Sequence, residues 1–464
     1  MINLNSEIGD LIYSIIGVIK MSKLKLKEIR KVLIVISAGI LFSACGNTLI
    51  NGNGLTISKK ANNQIETKAS ETIIDATSSG DSADTELPAG SLTYPIVGTG
   101  QTKCYDNFNE ISCPDDDDSF FGQDGNYDTG SFKYQDNEDG TVSDYLTGLM
   151  WKQDPGEKVS YAEALGNLEG FELAGYTDWR FPTIKELYSL IDMSGIDPSG
   201  CDSIQQCPDI QSFIDQDFFV FEYGQASNGD RMIDSQFASS TLYVGEDTND
   251  QLMFGVNFAD GRIKGYGIGP MPGRTEAKTF YVLYVRGNEN YGNNDFVDNN
   301  DGTITDLATG LTWQQNDSET GMNWETSLNY CANLEINGND GWRLPDIKEL
   351  QSILDYSRSP SSTNSAAINS IFSTSSITNE RGAQDFPFFW SSTTHVNYRI
   401  GGTSASYMAF GEGLGYMRNS WIDIHGAGTQ RSDPKIGDVS DYPFGHGPQG
   451  DAIRIENYVR CVSN

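Results

Sequence analysis

The pattern of apolar and polar residues contains one stretch that occurs twice along the chain. TDWRFPTIKELYSLID at 177–192 returns as DGWRLPDIKELQSILD at 340–355. In the first copy the apolar residues that recur at helical spacing are Ile184, Leu187, Leu190 and Ile191. This spacing predicts a helix with one buried face, from which Lys185 and Glu186 point away. Agreement at so many matching places indicates an internal duplication.

Each of these helices has a clear start signal. Thr183 and Asp346 are residue types that cap helix N-termini. Glu186 and Glu349 follow three residues later, where a glutamate completes a capping box. Both copies are therefore predicted to begin this helix at the same place.

The elements around the helix also occur in both copies. Asp-Gly turns between β-prone residues predict an opening hairpin at 136–151 and at 298–313. A shorter helix is predicted next, at 160–168 and at 323–334. After the second helix come a long polar and aromatic region and three short strands, which gives each copy the order hairpin, strand, helix, helix, long loop, strands.

The cysteines outside the N-terminal segment are even in number and suit an oxidising compartment. They are Cys104, Cys113, Cys201, Cys207, Cys331 and Cys461. Six cysteines allow about 15 pairings. We prefer the two local pairs, 104 with 113 and 201 with 207, which leaves 331 with 461.

The first 45 residues predict export rather than a folded domain. A basic region at 23–31 precedes an apolar run at 32–42, and small residues precede Cys45. The segment resembles a bacterial lipoprotein signal, and this resemblance implies cleavage before Cys45 and a lipid anchor on it. An uncleaved membrane anchor is the alternative. Residues 46–98 lack an apolar period and predict a flexible tether.

The chain is strongly acidic, with a net charge of −33. Residues 1–45 hold six of the 31 basic and three of the 64 acidic residues, so the chain after Cys45 keeps 25 and 61, a net charge of −36. Such a charge repels polyanions over a Debye length of about 8 Å at physiological salt. We therefore expect no nucleic-acid partner.

Several of the repeated motifs resemble one bacterial family. The motifs are DGT-x-x-D, TGL-x-W, GWR-x-P, KEL, SST and YVRC, and they lie between about 101 and 464. They resemble domain of unknown function 1566, the C-terminal domain of a collagen-like adhesin. The resemblance implies a C-type lectin-like fold with a disulfide from the first helix to the last strand. The sugar-and-calcium signatures of true C-type lectins are absent.

The predicted fold class is therefore α+β, with two tandem C-type lectin-like domains of two helices, a small antiparallel sheet and long loops. The first repeat, with its leading disulfide hairpin, is placed at 99–287 and the second at 288–464. Positions that the copies share are expected to serve the fold. We accordingly expect Arg180, Arg343, Arg286 and Arg460 to pair with acids such as Glu186 and Glu349.

A ligand site is expected where the copies differ. The candidate is the aromatic-rich region at 386–442, because exposed aromatics among polar groups suit sugars or proteins. Its candidate ligand-binding residues are Trp390, Tyr398, Tyr407, Tyr416 and Trp421. The alternative interpretation is that these rings fill the core of a loop-rich domain.

Catalytic and metal motifs are weak by comparison. An EF-hand register fails at both Asp-Gly turns, because the first ligand would be Gln135 or Val297 and no glutamate stands at the twelfth place. The acidic run at 115–118 is interpreted as a solvated turn. His395, His425 and His446 lack metal-ligand spacing. We expect no cofactor, with calcium as the alternative, and no enzyme.

Taken together, these features favour a cell-envelope lipoprotein, anchored in the outer membrane or at the cell surface. Its lectin-like repeats are expected to bind a glycan or protein ligand, as an adhesin or receptor does. The alternative is a structural envelope lipoprotein that mediates protein assembly, and a weaker one is an exported enzyme.

Overall fold

A computed structural model of the protein describes residues 92–464, except 128–129, 131, 226, 228, 246–250 and 271–274. These residues lie in one compact unit, Asp81–Asn464. The predicted signal and most of the predicted tether lie outside the described residues. Tyr94 and Val97, at the end of the predicted tether, are buried, so the folded core begins before residue 99. In the described part of the chain, no helix has both the length and the apolar character that crossing a bilayer requires.

The elements of the second copy repeat those of the first. The leading segment contributes β1 (Cys104–Tyr105) and β2 (Glu110–Ile111). The first copy contains β3 (Tyr134–Asp136), β4 (Thr141–Asp144), β5 (Leu149–Lys152), β6 (Val159–Ser160), α1 (Tyr161–Gly166), α2 (Ile184–Ser189), β7 (Gln236–Leu242), β8 (Leu252–Asn257), β9 (Arg262–Gly267), β10 (Thr279–Phe280) and β11 (Val285–Gly287).

The second copy begins at β12 and extends nearly to the end of the chain. It contains β12 (Phe296–Asp298), β13 (Thr303–Asp306), β14 (Leu311–Gln314), α3 (Trp324–Ala332), α4 (Ile347–Ser352), α5 (Pro360–Thr363), β15 (Ile377–Thr378), β16 (Gln384–Asp385), β17 (Phe388–Asn397), β18 (Gly401–Ala409), β19 (Leu414–Met417), β20 (Ser420–Asp423), β21 (Gln430–Pro434) and β22 (Val462–Ser463).

Each copy closes by returning its last strand to its opening hairpin. The first copy forms a four-stranded sheet in the order β11-β5-β4-β3, and the second forms the equivalent sheet β12-β13-β14-β22. In the second copy the Cys331–Cys461 disulfide also joins helix α3 to the last strand region. A bridge that closes a loop of 130 residues stabilises the fold by about 5 kcal/mol in the loop-entropy model.

The largest sheet belongs to both copies. Its six antiparallel strands run β17-β18-β21-β9-β8-β7, so three strands come from each copy and β21 meets β9 at the junction. At that junction Gln430 pairs with Ile263, and the Gly265 amide donates to the His425 carbonyl at 3.1 Å. One hydrophobic core likewise includes Leu187 and Leu350, one from each copy.

The predicted fold class, α+β with two lectin-like domains, is wrong. Strands make up 30% of the structure and helices 11%, and the helices are only four to nine residues long. Helix capping is a local signal that the sequence displays strongly. Strand pairing between the copies joins residues far apart in sequence, and it leaves no comparable local signal.

The helix start signals themselves are confirmed. Thr183 accepts a hydrogen bond from the Glu186 amide, and the Glu186 carboxylate accepts from the Thr183 amide, which completes the capping box. Asp346 and Glu349 make the same reciprocal pair at α4. The two helices therefore begin with the same type of capping box.

A pair of equivalent lysines joins helix α2 to helix α4. Lys185 Nζ donates to the Ser352 carbonyl at 2.8 Å, and Lys348 Nζ donates to the Ser189 carbonyl at 2.9 Å. Each lysine thus reaches from its own helix to the last carbonyl of the other. Lys185 was expected to point away from the buried face, but it binds the copies together, as Lys348 does.

The surroundings of both amines make them weaker bases than an exposed lysine. Burial lowers the pKa of Lys185 and of Lys348 to about 8, and nearby aspartates only partly oppose this shift. Each ammonium is also solvated by a second carbonyl, Gly292 for Lys185 at 3.1 Å and Gly98 for Lys348 at 3.0 Å. Hydrogen bonds to carbonyls offset part of the cost of burying the charges.

The leading hairpin packs on the second copy, although it precedes the first in sequence. The Gln101 side chain exchanges two hydrogen bonds with the Thr394 backbone, at 2.8 and 2.9 Å. Thr393 donates to the buried Asp124 carboxylate at 2.6 Å. The leading segment therefore ties the start of the folded unit to strand β17.

We predict that Gly265→Ala destabilises the protein by about 1–3 kcal/mol, the usual cost of overpacking. A Cβ at this position of β9 would lie 2.6 Å from the His425 carbonyl oxygen across the junction between the copies. Gly267→Ala, on the same strand, is the matched control, because nothing lies within 4 Å of its Cβ position. Urea denaturation measures both, and equal stabilities of the two variants would contradict a tight junction.

Candidate functional site

Two of the five candidate ligand-binding residues lie in the core. Trp390 is completely buried, and its indole N–H donates to the Met322 carbonyl at 2.9 Å. Tyr407 is 2% exposed and stacks on Phe388 with ring centroids 4.4 Å apart. Neither ring is accessible to a ligand, so for this pair the core interpretation holds.

Tyr398 lies in a different environment from the other candidates. It is half-buried and packs against a small cluster built around the Cys201–Cys207 disulfide. Its backbone amide donates to the Asp197 carbonyl of the first copy at 3.0 Å. Tyr398 therefore supports the contact between the copies and is not grouped with Tyr416 and Trp421.

Tyr416 and Trp421 are half-buried, on the hairpin β19–β20, and Trp421 also packs against the core of the second copy. They face each other across the two strands, with ring centroids 5.3 Å apart. Phe444, from the following loop, lies 4.9 Å from Tyr416 and is 60% exposed. We call Tyr416, Trp421 and Phe444 the aromatic patch.

The hairpin that carries the patch is an insertion in the second copy. In the first copy β8 connects to β9 through residues 258–261, whereas the equivalent strands β18 and β21 are separated by residues 410–429. The two copies therefore differ most clearly at the place where aromatic rings reach the surface. Such a difference is expected of a ligand site grafted on a shared fold.

Buried polar contacts fix the base of the hairpin. The Asp423 carboxylate accepts from the amides of Gly413 and Gly426, both at 3.0 Å, and from the Tyr243 hydroxyl at 2.5 Å. Burial raises the pKa of Asp423 to about 6. Since Tyr243 belongs to the first copy, the shared interior holds the hairpin in place.

The loop that carries Phe444 is attached to the same hairpin. The Tyr416 amide donates to the Gly450 carbonyl at 2.8 Å, and His446 and Asp451 exchange two backbone hydrogen bonds of 2.8 Å. The side chain of Asp451 contacts His425 at 2.8 Å and also pairs with Arg431. The aromatic patch is thus held by a hydrogen-bonded loop.

Polar residues, some of them charged, lie close to the patch residues in sequence. Arg418 and Asn419 form the hairpin turn with positive φ angles of 54° and 62°, which matches the twist that two-residue hairpin loops require. Both are exposed, as are Asp438, Asp441 and His446 in the nearby loop. The patch therefore combines ring faces with scattered polar side chains.

Three of the four shared arginines pair with acids, as predicted. Arg180 contacts Glu186 at 2.5 Å, and Arg343 makes two contacts of 2.6 Å with Glu349. The third pair joins Arg286 to Asp178 at 2.8 Å. The shared tryptophans expected in the core are also buried, namely Trp151, Trp179, Trp313 and Trp342.

For Arg460 the prediction of an acidic partner is wrong. This side chain is completely buried, and it donates to the backbone carbonyls of Gln314, Gln315 and Ser373. Burial lowers the pKa of Arg460 to about 10. Carbonyls from two separate chain segments accept hydrogen bonds from the guanidinium. Arg460 therefore joins these backbone segments instead of pairing with an acid.

The cysteine pairs in the structure are those preferred from the sequence: Cys104–Cys113, Cys201–Cys207 and Cys331–Cys461. In the described ranges, no group of three or more histidine, cysteine, aspartate or glutamate residues is arranged to hold a metal ion. At the Asp-Gly turns, Asp139 and Asp301 each accept from the amide and hydroxyl of a following threonine. Their carboxylates are therefore engaged within the turn.

Comparison with known proteins agrees with the duplication. A family model described as the Lcl C-terminal domain matches residues 140–286 and again 302–424. The chain belongs to the Lcl C-terminal domain family. Membership in this family suggests an adhesin-like or surface-protein domain. No curated protein and no solved structure matched the chain.

The second Lcl C-terminal domain match covers part of the aromatic patch. Tyr416 and Trp421 fall inside it, whereas Phe444 lies beyond its end at 424. Phe444 also lies outside the region 386–442 that the sequence favoured. Its Tyr-Pro-Phe-Gly context gives a turn signal and no sign that the ring would meet Tyr416.

A structural feature that the sequence did not predict is the burial of two neighbouring acids, Asp124 and Asp346. Asp124 Oδ1 and Asp346 Oδ2 are both buried without a hydrogen-bond partner among the described residues. Burial raises the pKa of Asp124 to about 6 despite hydrogen bonds from Thr393 and Thr99. Burial, with Glu349 and Asp124 as neighbours, raises the pKa of Asp346 well above its usual range.

We predict that Asp124 makes the protein less stable as the pH rises. Its folded-state pKa of about 6 lies above its unfolded value of 3.8, so its contribution is complete below 3.8 and is lost as the pH rises through 6. The loss amounts to at most about 3 kcal/mol, at 1.36 kcal/mol per pKa unit. Asp124→Asn is expected to flatten the decline in the free energy of unfolding between pH 4 and pH 8.

Urea denaturation across this pH range measures the effect. The exposed Asp118, changed to asparagine, is the control and is expected to leave the decline unchanged. Parallel curves for wild type and Asp124→Asn would contradict the assignment.

Proposed function

We propose that the protein is an exported, lipid-anchored surface protein that binds a glycan through the aromatic patch, as an adhesin or receptor does. The observation that carries the proposal is the hairpin β19–β20, an insertion in one copy that places Tyr416 and Trp421 beside the exposed Phe444. Membership in the Lcl C-terminal domain family supports a role at the surface.

The chemistry of the patch favours a sugar. Aromatic rings offer apolar faces to the C–H faces of sugar rings, and neighbouring polar side chains bind the hydroxyls. Asn419, Ser420 and His446 supply exposed groups of this kind near the rings. A folded hairpin presents them with little loss of conformational entropy on binding.

The net charge of the protein restricts the class of glycan that we expect it to bind. The chain after Cys45 carries a net charge of −36, which disfavours sulfated polysaccharides and nucleic acids as partners. We therefore propose a neutral glycan. We propose neither catalysis nor a cofactor.

A protein partner is the second candidate, with the molecule acting in envelope assembly. The observation that favours it is apolar surface close to the patch in sequence, since Ile436 is 47% and Val439 is 53% exposed. Aromatic residues are enriched in protein interfaces, and the buried core of an interface is more apolar than the rest of the surface. Binding to an envelope protein without any glycan binding would favour this candidate.

We predict that Phe444→Ala weakens glycan binding at least tenfold, because a lost ring contact costs about 1.5 kcal/mol. The measurement is a glycan array with the chain from Gly46 onward, followed by titration of each bound neutral glycan. Tyr145→Ala is the matched control, since Tyr145 is 56% exposed on the first copy. Absence of glycan binding at micromolar protein, with and without calcium, would overturn the glycan proposal.

We predict that Cys45 carries the lipid anchor. Wild-type protein should incorporate a labelled fatty acid, and Cys45→Ser should lose the label completely, because the lipid is attached to this cysteine. Metabolic labelling followed by immunoprecipitation from the native bacterium tests this. Equal labelling of both forms would favour an anchor elsewhere in the chain.

A further inference from the structure

A cleft, separate from the aromatic patch, lies where the leading hairpin meets both copies. Its volume is about 650 Å³, within the usual range for small-ligand sites. Its apolar walls are Tyr105 and Phe108 from the leading segment, Met193 and Ile196 from the first copy, and Val396 from the second. Three chain segments that are far apart in sequence thus build one concave surface.

The hairpin at the edge of this cleft is firmly held. The Asp106 carboxylate accepts from the amides of Phe108 and Asn109, both at 2.6 Å, which fixes the tip. The Cys104–Cys113 disulfide closes the hairpin. Gly402 lets the Tyr105 ring pack on strand β18, because a Cβ there would lie 2.4 Å from the ring. The structure nevertheless leaves the Phe108 ring 65% exposed at the rim.

Three polar side chains of the cleft are neutral and have no partner among the described residues. The side chains of Thr102, Ser194 and Gln211 are exposed and make no hydrogen bond within the part of the chain that the structure describes. At the rim, Lys103 and Glu110 pair at 2.8 Å and cancel each other's charge. An exposed ring beside two hydroxyls and an amide suits an uncharged, hydroxyl-rich ligand.

The cleft is linked to the loop that carries the aromatic patch. The buried Lys435 donates to the Asp106 carbonyl at 3.0 Å, and its ammonium lies 3.8 Å from the centre of the Trp324 ring. Residue 435 directly precedes the loop that leads to Phe444. One buried side chain therefore fixes the leading hairpin to the start of the patch loop.

From these contacts we propose that the cleft is a second saccharide subsite, which binds a neutral sugar unit against Phe108. This inference rests on the proposed glycan-binding function and adds a second contact for the same class of ligand. Two subsites on one molecule raise the affinity for longer chains above that for short ones, since the second contact forms at a high effective concentration.

The test uses four neutral hexasaccharides as probes, maltohexaose, cellohexaose, laminarihexaose and chitohexaose, with the corresponding disaccharides. Isothermal titration calorimetry measures their affinities for the chain from Gly46 onward and for Phe108→Ala, Gln211→Ala, Phe444→Ala and Tyr145→Ala. We expect Phe108→Ala to weaken binding of at least one hexasaccharide about tenfold and Gln211→Ala to weaken it several-fold. Tyr145→Ala should leave the affinity unchanged. Because Phe108 and Gln211 are exposed, all variants should keep the wild-type circular dichroism spectrum.

The outcomes separate this inference from the proposed function. Hexasaccharide binding that depends on Phe444 but is the same in Phe108→Ala would overturn the cleft subsite and leave the proposed function standing. Binding that depends on Phe108 would support the subsite, whether or not Phe444 also contributes. If a glycan array identifies a ligand but none of the four hexasaccharides binds at millimolar concentration, the neutral subsite is overturned. If the array is also negative, both proposals fall.

Discussion

The structure depends on two lysines, the half-buried Lys185 and the buried Lys348, that cross between equivalent helices. Lys185 and Lys348 each bind the final carbonyl of the other copy's helix. A buried ammonium is costly unless its hydrogen bonds are satisfied, so the two helices must stay in register for both charges to be solvated. The same closeness brings Leu187 and Leu350 into one core. The duplication has therefore produced one two-part unit.

The joining of the two copies explains where the hairpin β19–β20 lies. With β9 and β21 paired, the six-stranded sheet has its centre at the junction, and the connection after β18 emerges beside it. In the first copy the equivalent connection is a short turn, whereas in the second it carries the hairpin β19–β20. Tyr243 of the first copy holds the base of that hairpin through Asp423. One copy thus supports the surface that the other presents.

The leading segment shows the same reliance on contacts between distant parts of the chain. Its own disulfide closes it. Gln101 and Tyr105 pack it on β17 and β18. Rigid, partly exposed aromatic rings consequently occur at two places, Phe108 and Phe444. Both lie in segments that the repeated fold does not itself require. A shared scaffold with variable additions is the usual way in which one fold acquires a particular ligand.

The sequence by itself determined the duplication, the capping boxes at Thr183 and Asp346, the Arg180 and Arg343 ion pairs, and the two local cysteine pairs. These features rest on residues close in sequence or on positions that both copies share. Only the tertiary structure decided that Lys185 and Lys348 join the copies, that strands pair between them, that Trp390 and Tyr407 are buried, and that Phe444 meets Tyr416. Periodicity reports which residues prefer burial or a helix, but the partner that buries each one is selected by tertiary contacts, which for Lys185 and Ser352 join positions 167 residues apart.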